Sequence, residues 1–146
     1  MRSTVLIAFV LVAVTVAVHA FGLAVLMMSL RKRPNFPPTR HWPITRLLIF
    51  VACYLILLHL AAIAVWGSFY LWSGCLPDPE AALYFSGVTY TTIGYGDVVL
   101  ANPWRILGPI EGLTGVLMGG LSASLFFAIV QRIYKSLHSE AKGRPT

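Results

Sequence analysis

Three apolar runs, each long enough to cross a bilayer, dominate what this chain can fold into. A hydrocarbon core of ~30 Å takes roughly 20 helical residues at 1.5 Å each. Val5–Leu30, Leu47–Trp72 and Trp104–Val130 all reach that length. In lipid every backbone polar group must find a partner within its own segment, so each run is expected as a helix. A further apolar stretch, AALYFSGVTYTT from Ala81 to Thr92, has only twelve residues. A stretch of roughly 10 to 14 is too short to cross and reads as re-entrant or buried. Composition agrees, with 58% hydrophobic and 11% charged residues, where a soluble domain carries roughly a quarter charged. The chain is therefore expected to be an all-α integral membrane protein with three transmembrane helices and one re-entrant segment.

The net charge of +6 is not that of a nucleic-acid binder, because Lys and Arg cluster beside the ends of the apolar runs rather than over a polar face. Arg31, Lys32, Arg33, Arg40 and Arg46 separate the first and second runs, and Arg132, Lys135, Lys142 and Arg144 follow the third. Arg2 and Arg105 fall on the other side. The excess of cations on cytoplasmic loops then puts the amino terminus outside and the carboxyl terminus in the cytoplasm. Residues 1–30 read as an amino-terminal span, 31–46 as a basic cytoplasmic linker and 135–146 as a cytoplasmic tail. The opening MRSTVLIAFVLVAVTVAVHA looks like a signal peptide ending at Val18-His19-Ala20, but the apolar run continues to Leu30 and stops at Arg31-Lys32-Arg33, as a span does. Cleavage would also leave the basic linker outside. The linker RKRPNFPPTRHWPITR is too proline-rich for a long helix and is expected on the membrane surface, with Trp42 at headgroup depth.

Between the second and third runs lies TTIGYGD, Thr91 to Asp97. Just before the twelve-residue apolar stretch, Asp78-Pro79-Glu80 offers a capping acid, a proline at the first helical position and a carboxylate near the positive end of the dipole. This spacing predicts a short helix over 79–91 whose carboxyl end, carrying partial negative charge, points into the membrane. The chain must then return through Thr92, Ile93, Gly94, Tyr95 and Gly96. Non-helical backbone survives at that depth only when walled by protein or lining a water-filled cavity. Gly94 and Gly96 accept backbone angles closed to other residues, which lets successive carbonyls face one way. GYGDVV is a poor phosphate loop, since it lacks a third glycine and follows no strand.

TTIGYGD, with the short helix before it and the spans on either side, resembles the selectivity filter of tetrameric potassium channels. The resemblance covers Arg46 to Tyr134 and implies a pore domain over 47–134, with outer helix 47–72, pore helix 79–91, filter 92–97 and inner helix 103–132. It implies a homotetramer in the bilayer, whose cargo is potassium ions and which has no catalytic residues. The carbonyls of Thr92, Ile93, Gly94 and Tyr95 and the Thr92 hydroxyl would replace the hydration shell, with Gly96 completing the loop. EGLTGVLMGGLSASLFFAIV, from Glu111, is similar to inner helices of bacterial inward rectifiers. Leu117, Gly120, Ser124 and Ala128 are its candidate lumen stripe and Phe127 a candidate hydrophobic gate. Gly112, Gly115, Gly119 and Gly120 fit either close packing or bending. A channel-like membrane subunit that does not conduct, or does not select, is the alternative, and the complete TIGYGD motif disfavours it.

Departures from the family pattern single out further residues. Val88 stands where some members carry a carboxylate, which leaves Tyr84 to donate to Asp97 and Glu111 as a substitute support. Ser86, Thr89, Tyr90 and Thr91 are candidate partners for Glu111, whereas Arg105 is poorly phased. No arginine-repeat helix is present, and the first span has no counterpart in two-span channels. His59 and His19 lie 13 and 12 residues from Arg46 and Arg31, hence at similar depth. They fit a hydrogen-bonded pair, a proton sensor or a metal site. Cys53 and Cys75 are too far apart along their span for an internal disulfide, leaving Cys75 as a free thiol or an interchain partner.

The charge pattern makes a direct prediction. A cysteine introduced at Asn35 in a cysteine-free background should escape a membrane-impermeant reagent on intact cells, whereas one at Ser73 should react. The reverse labelling would invert the topology.

Overall fold

The computed structural model describes residues 2–32 and 41–142. Among these the chain forms α1 (Arg2–Arg31), α2 (His41–Trp72), α3 (Pro79–Tyr90), a 3-10 turn (Trp104–Ile106) and α4 (Leu107–Lys142). Three helical segments, Ser3–Arg31, His41–Trp72 and Trp104–Ser139, are long and apolar enough to cross a membrane. The protein is an all-helical, multi-pass membrane protein. At 1.5 Å per residue the 12 residues of α3 span about 18 Å, well short of a bilayer core.

Helix boundaries depart most from the sequence expectation at two places. α2 begins at His41 rather than Leu47, because Pro43 sits in the first turn, where its missing N–H has no intrahelical acceptor in any case. The remaining prolines of the linker lie outside the described residues. Trp42 is exposed in that first turn. α4 also runs to Lys142, past the expected 132, since the residues after Val130 are mostly good helix formers and Ile133 still buries its side chain.

Packing fixes the relative directions of the helices. At one end of the bundle Ala8 and Leu11 of α1 meet Trp66 and Tyr70 of α2, Ala82 and Phe85 of α3, and Leu107 of α4. At the other end Leu23, Leu26 and Leu30 of α1 meet Leu47, Val51 and Leu55 of α2, with Ile129 and Ile133 of α4. α1 and α4 therefore run parallel, with α2 antiparallel to both. A middle cluster of Ala62, Tyr90 and Met118 receives the carboxyl end of α3, while Leu100, after the loop, is back in the first cluster. So the chain enters and leaves by the same end: the hairpin is re-entrant.

With no hydrophobic gradient between helices in lipid, close approach and polar contacts must hold the bundle together. α1 is pinned to α2 by the Trp66 indole N–H donating to Thr15 Oγ1 (3.0 Å) and the Tyr54 hydroxyl donating to the Gly22 carbonyl (2.9 Å). It is tied to α4 by the His19 Nε2 contact with Ser122 Oγ (2.9 Å). α4 reaches α3 at Gly115, where an added Cβ would run into the Tyr90 carbonyl.

That contact is backbone and cannot swing away. Gly115→Ala should lower the melting temperature of the purified protein through overpacking of about 1–3 kcal/mol. Gly120→Ala, with no atom within 4 Å of the added Cβ, should leave it unchanged or slightly raised. Equal effects would mean that α3 does not rest on α4 at Gly115.

Candidate functional site

The hairpin is built from its first residue. Asp78, in extended conformation at φ −148°, accepts from the Ala81 N–H at 2.8 Å, and Pro79 and Glu80 complete the first turn. At the other end the Thr91 N–H donates to the Gly87 carbonyl (3.1 Å), Thr92 N–H to Thr89 (2.9 Å) and Gly94 N–H to Val88 (3.0 Å). The loop's early donors are thus spent on the last carbonyls of α3, which would otherwise be orphaned at a helix end.

Positive φ recurs at Thr92 (62°), Gly94 (53°) and Gly96 (79°), but not at Ile93 or Tyr95. Alternating the two hands of backbone turns successive N–H groups toward one side and their carbonyls toward the other. For the glycines this is unstrained. For Thr92, a β-branched residue, it costs of order 1–3 kcal/mol and persists only where neighbours enforce it. Ile93 and Tyr95 side chains are exposed in the single chain. Behind the loop lies a cavity of about 600 Å³ walled by Val88, Thr89, Thr92, Val98, Arg105 and Gly112 among others. Among the described residues no group of three His, Cys, Asp or Glu side chains could hold a metal.

Two side-chain links hold the hairpin. The Tyr84 hydroxyl donates to Asp97 Oδ2 at 2.7 Å, joining the helix to the end of the loop. That bond holds the Asp97 carboxyl below the usual carboxylate range and pushes the Tyr84 phenol up. A depressed carboxyl contributes above its ordinary range and loses the contribution as pH falls through the lowered value, so the link is intact at neutral pH. Glu111, fully buried, accepts from the Tyr70 hydroxyl at 2.7 Å and lies 2.5 Å from Ser86 Oγ. Ser86 Oγ is also 2.9 Å from the Ile63 carbonyl. Its one proton serves both acceptors only if the carboxyl supplies a proton of its own, so a neutral Glu111 satisfies every contact.

Of the four partners expected for Glu111, Ser86 is found, while Thr89, Tyr90 and Thr91 are not. Tyr70 was missed. Its signal was modest: Tyr70 lies just before the end of α2 and Glu111 just inside α4, both at the same end of the bundle. Ser86 is two residues from Val88 and so on the opposite face of α3. Glu111 therefore holds the back of α3 and does not take the place left by Val88 beside the loop.

On α4, Leu117 and Phe127 are 62% and 61% exposed, and Gly120, Ser124 and Ala128 are exposed with them. Leu117, Gly120, Ser124 and Ala128 recur at steps of three and four along one face, with Phe127 at its edge. Ala128 also borders a cavity of about 320 Å³ with Met27, Leu30 and Arg31 of α1. His19 and His59 are neighbours, with ring centroids 4.9 Å apart. They do not bond to each other: His59 Nδ1 contacts the Tyr90 hydroxyl at 3.1 Å, and His19 contacts Ser122. Cys53 and Cys75 are free, and burial pushes the Cys75 thiol up.

The fold and the hairpin define a class, that of multi-pass helical membrane proteins carrying a re-entrant loop. A family model described as an ion channel matches residues 58–132, just over half of the chain, and the protein belongs to that ion channel family. The match runs from the second half of α2 through α3 and the loop into α4. A voltage-gated potassium channel of Aeropyrum pernix is 31% identical over 80 residues, covering 50% of this chain and 26% of that protein. An uncharacterized MFS-type transporter of Bacillus subtilis, YuxJ, is 37% identical over 62 residues, covering 42% of this chain and 16% of that protein. The chain thus spans about a quarter and a sixth of these relatives' lengths. No solved structure matches it.

The carboxyl link makes a coupled prediction. Tyr70→Phe leaves Oε2 without its donor, and Glu111→Val leaves a buried phenol without its acceptor, so each should cost about 1–3 kcal/mol in detergent unfolding. The double variant should cost less than the sum, because both partners are then gone. Strict additivity would show that the contact carries no energy.

Proposed function

We propose that this channel protein is one subunit of a homotetrameric, potassium-selective pore, with its amino terminus outside and its carboxyl terminus in the cytoplasm. The observation that carries the reading is the alternation of positive φ at Thr92, Gly94 and Gly96 immediately after a capped short helix. One such loop offers carbonyls to an ion from one side only. Four loops around an axis offer rings of oxygens from Thr92, Ile93, Gly94 and Tyr95, which replace the hydration shell of a desolvated cation. The Thr92 hydroxyl adds the innermost ring.

The rest of the chain supports this use. The carboxyl end of α3, with its partial negative charge, lies at the inner mouth of the loop and favours a cation there before it sheds water. The exposed α4 face with Leu117, Gly120, Ser124 and Phe127 is apolar wall that the chain itself leaves uncovered, suited to an inner lumen that Phe127 narrows by dewetting. Val5, Leu6, Phe9 and Val10 of α1 and Ile56, Leu57 and Leu60 of α2 are exposed apolar surface of the kind lipid covers. The named potassium channel of Aeropyrum pernix is consistent with the choice of ion.

Reconstituted protein between potassium on one side and sodium on the other should reverse far from zero, toward the potassium equilibrium potential, and native mass measurement should give four chains. A reversal near zero would remove selectivity, and a monomer or dimer would remove the shared pore. Gly96→Ala places a Cβ on a backbone at φ 79°, a conformation costing L-residues roughly 1–2 kcal/mol, with open space around it. It should diminish selectivity or conductance while leaving tetramer mass unchanged.

A further inference from the structure

The buried side-chain polar atoms of the described residues have partners, with one exception. Among the described residues, the His19 Nδ1 atom is the buried side-chain polar atom with no hydrogen-bond partner. A buried, unpaired ring nitrogen is costly, and each such group in a native structure calls for a reason. His19 is fully buried, and the nearest aromatic neighbour of its ring is His59, at 4.9 Å between centroids and tilted by 45°.

The two rings are held in a similar way. His19 is tied through Nε2 to the Ser122 hydroxyl of α4, and His59 through Nδ1 to the Tyr90 hydroxyl of α3. One nitrogen of each imidazole is thus oriented by a hydroxyl, and the other, Nδ1 of His19 and Nε2 of His59, carries no hydrogen bond. This is the arrangement of metal-binding histidines, whose second nitrogen is steered by an outer hydrogen bond. The spacing fits as well. With metal–nitrogen distances of about 2.0–2.1 Å, two imidazoles on one tetrahedral ion bring their ring centroids to roughly 5 Å.

We propose that His19 and His59 form a two-imidazole site for a borderline transition-metal ion such as Zn²⁺, joining α1 to α2 beside the base of the hairpin. Imidazole nitrogen suits such ions, and neither hard Mg²⁺ nor Ca²⁺ would choose it. The remaining coordination falls to water, since the Ser122 and Tyr90 hydroxyls are spent on the other ring nitrogens. Water has a place: His59 lines a cavity of about 460 Å³ together with Tyr90, Thr92, Gly115 and Gly119. The local field also suits a cation, since Tyr90 is the last residue of α3 and the negative end of that dipole lies at the site. No Lys or Arg occurs between Val5 and Leu30 or between Leu47 and Trp72 to oppose it. The bound form requires neutral imidazoles, so affinity falls as pH drops below the ordinary histidine range.

The site stands independently of potassium conduction, and its test reads binding rather than current. Full-length protein carrying Cys53→Ser, Cys75→Ser, His41→Gln and His138→Gln, which remove the other described thiols and imidazoles, is titrated in detergent with Co²⁺ alone and then with Zn²⁺ alone. Expected are one Co²⁺ per chain with the visible absorption of a four-coordinate ion, displacement by Zn²⁺, and a raised melting temperature with either metal. His59→Gln should abolish the signal, and Tyr90→Phe, which keeps both ligands but removes the outer hydrogen bond, should weaken affinity about tenfold. His19→Gln should match His59→Gln; should it fail to fold, His59→Gln, whose ring is only half-buried, decides alone. Absence of saturable Co²⁺ binding, or binding unchanged in His59→Gln, would overturn the site. A pH response lost in His19→Gln without any metal binding would do the same and make the pair a proton site.

Discussion

Non-helical backbone placed at membrane depth is the constraint on which this structure turns. A helix satisfies its own amides, but a loop in the same position exposes donors and acceptors to a medium that offers none. Here the donors of Thr91, Thr92 and Gly94 are returned to the end of α3, and the alternating hand of the backbone leaves the carbonyls on a separate side. The same alternation that makes the loop costly for Thr92 is what the proposed function uses, because it would gather the oxygens rather than scatter them.

Such a loop is only as well placed as the short helix before it, and α3 is too short to locate itself. It is located from three directions. Asp78 starts it, Tyr84 ties it forward to Asp97, and Ser86 ties it backward to Glu111 and Tyr70. The last of these explains an acid in an apolar helix: a carboxyl that meets two hydroxyls loses less on burial than one left alone. Gly115 then sets how closely α4 approaches, by leaving out the side chain that would strike Tyr90.

α1 is more than a membrane anchor beside this assembly. Its contacts are polar as well as apolar, through Thr15 to Trp66, Gly22 to Tyr54 and His19 to Ser122. Polar contacts between spans are directional, whereas apolar packing in lipid gains little from any one orientation. Because the His19 ring lies tilted against His59, and His59 meets Tyr90 at the foot of α3, the first helix reaches the hairpin through two intervening side chains. A change in α1 therefore has a short route to the loop.

Much of this was legible before any coordinates. Helix number and the re-entrant segment follow from run length against bilayer thickness, which is a property of composition along the chain. The cap at Asp78 and the glycines of the loop follow from local backbone chemistry, and Tyr84, within the short helix, could be paired with Asp97 through the family resemblance. The resemblance to channel pores could be read because TTIGYGD is contiguous, Thr91 to Asp97. Tertiary structure alone decided the rest. The partners of Glu111, the separation of the His19 and His59 hydrogen bonds and the reason for Gly115 all depend on the rotation of one helix against another. A rotation of 100° per residue is fixed within a helix by sequence, but between helices it is fixed only by which side chains fill the space where they meet.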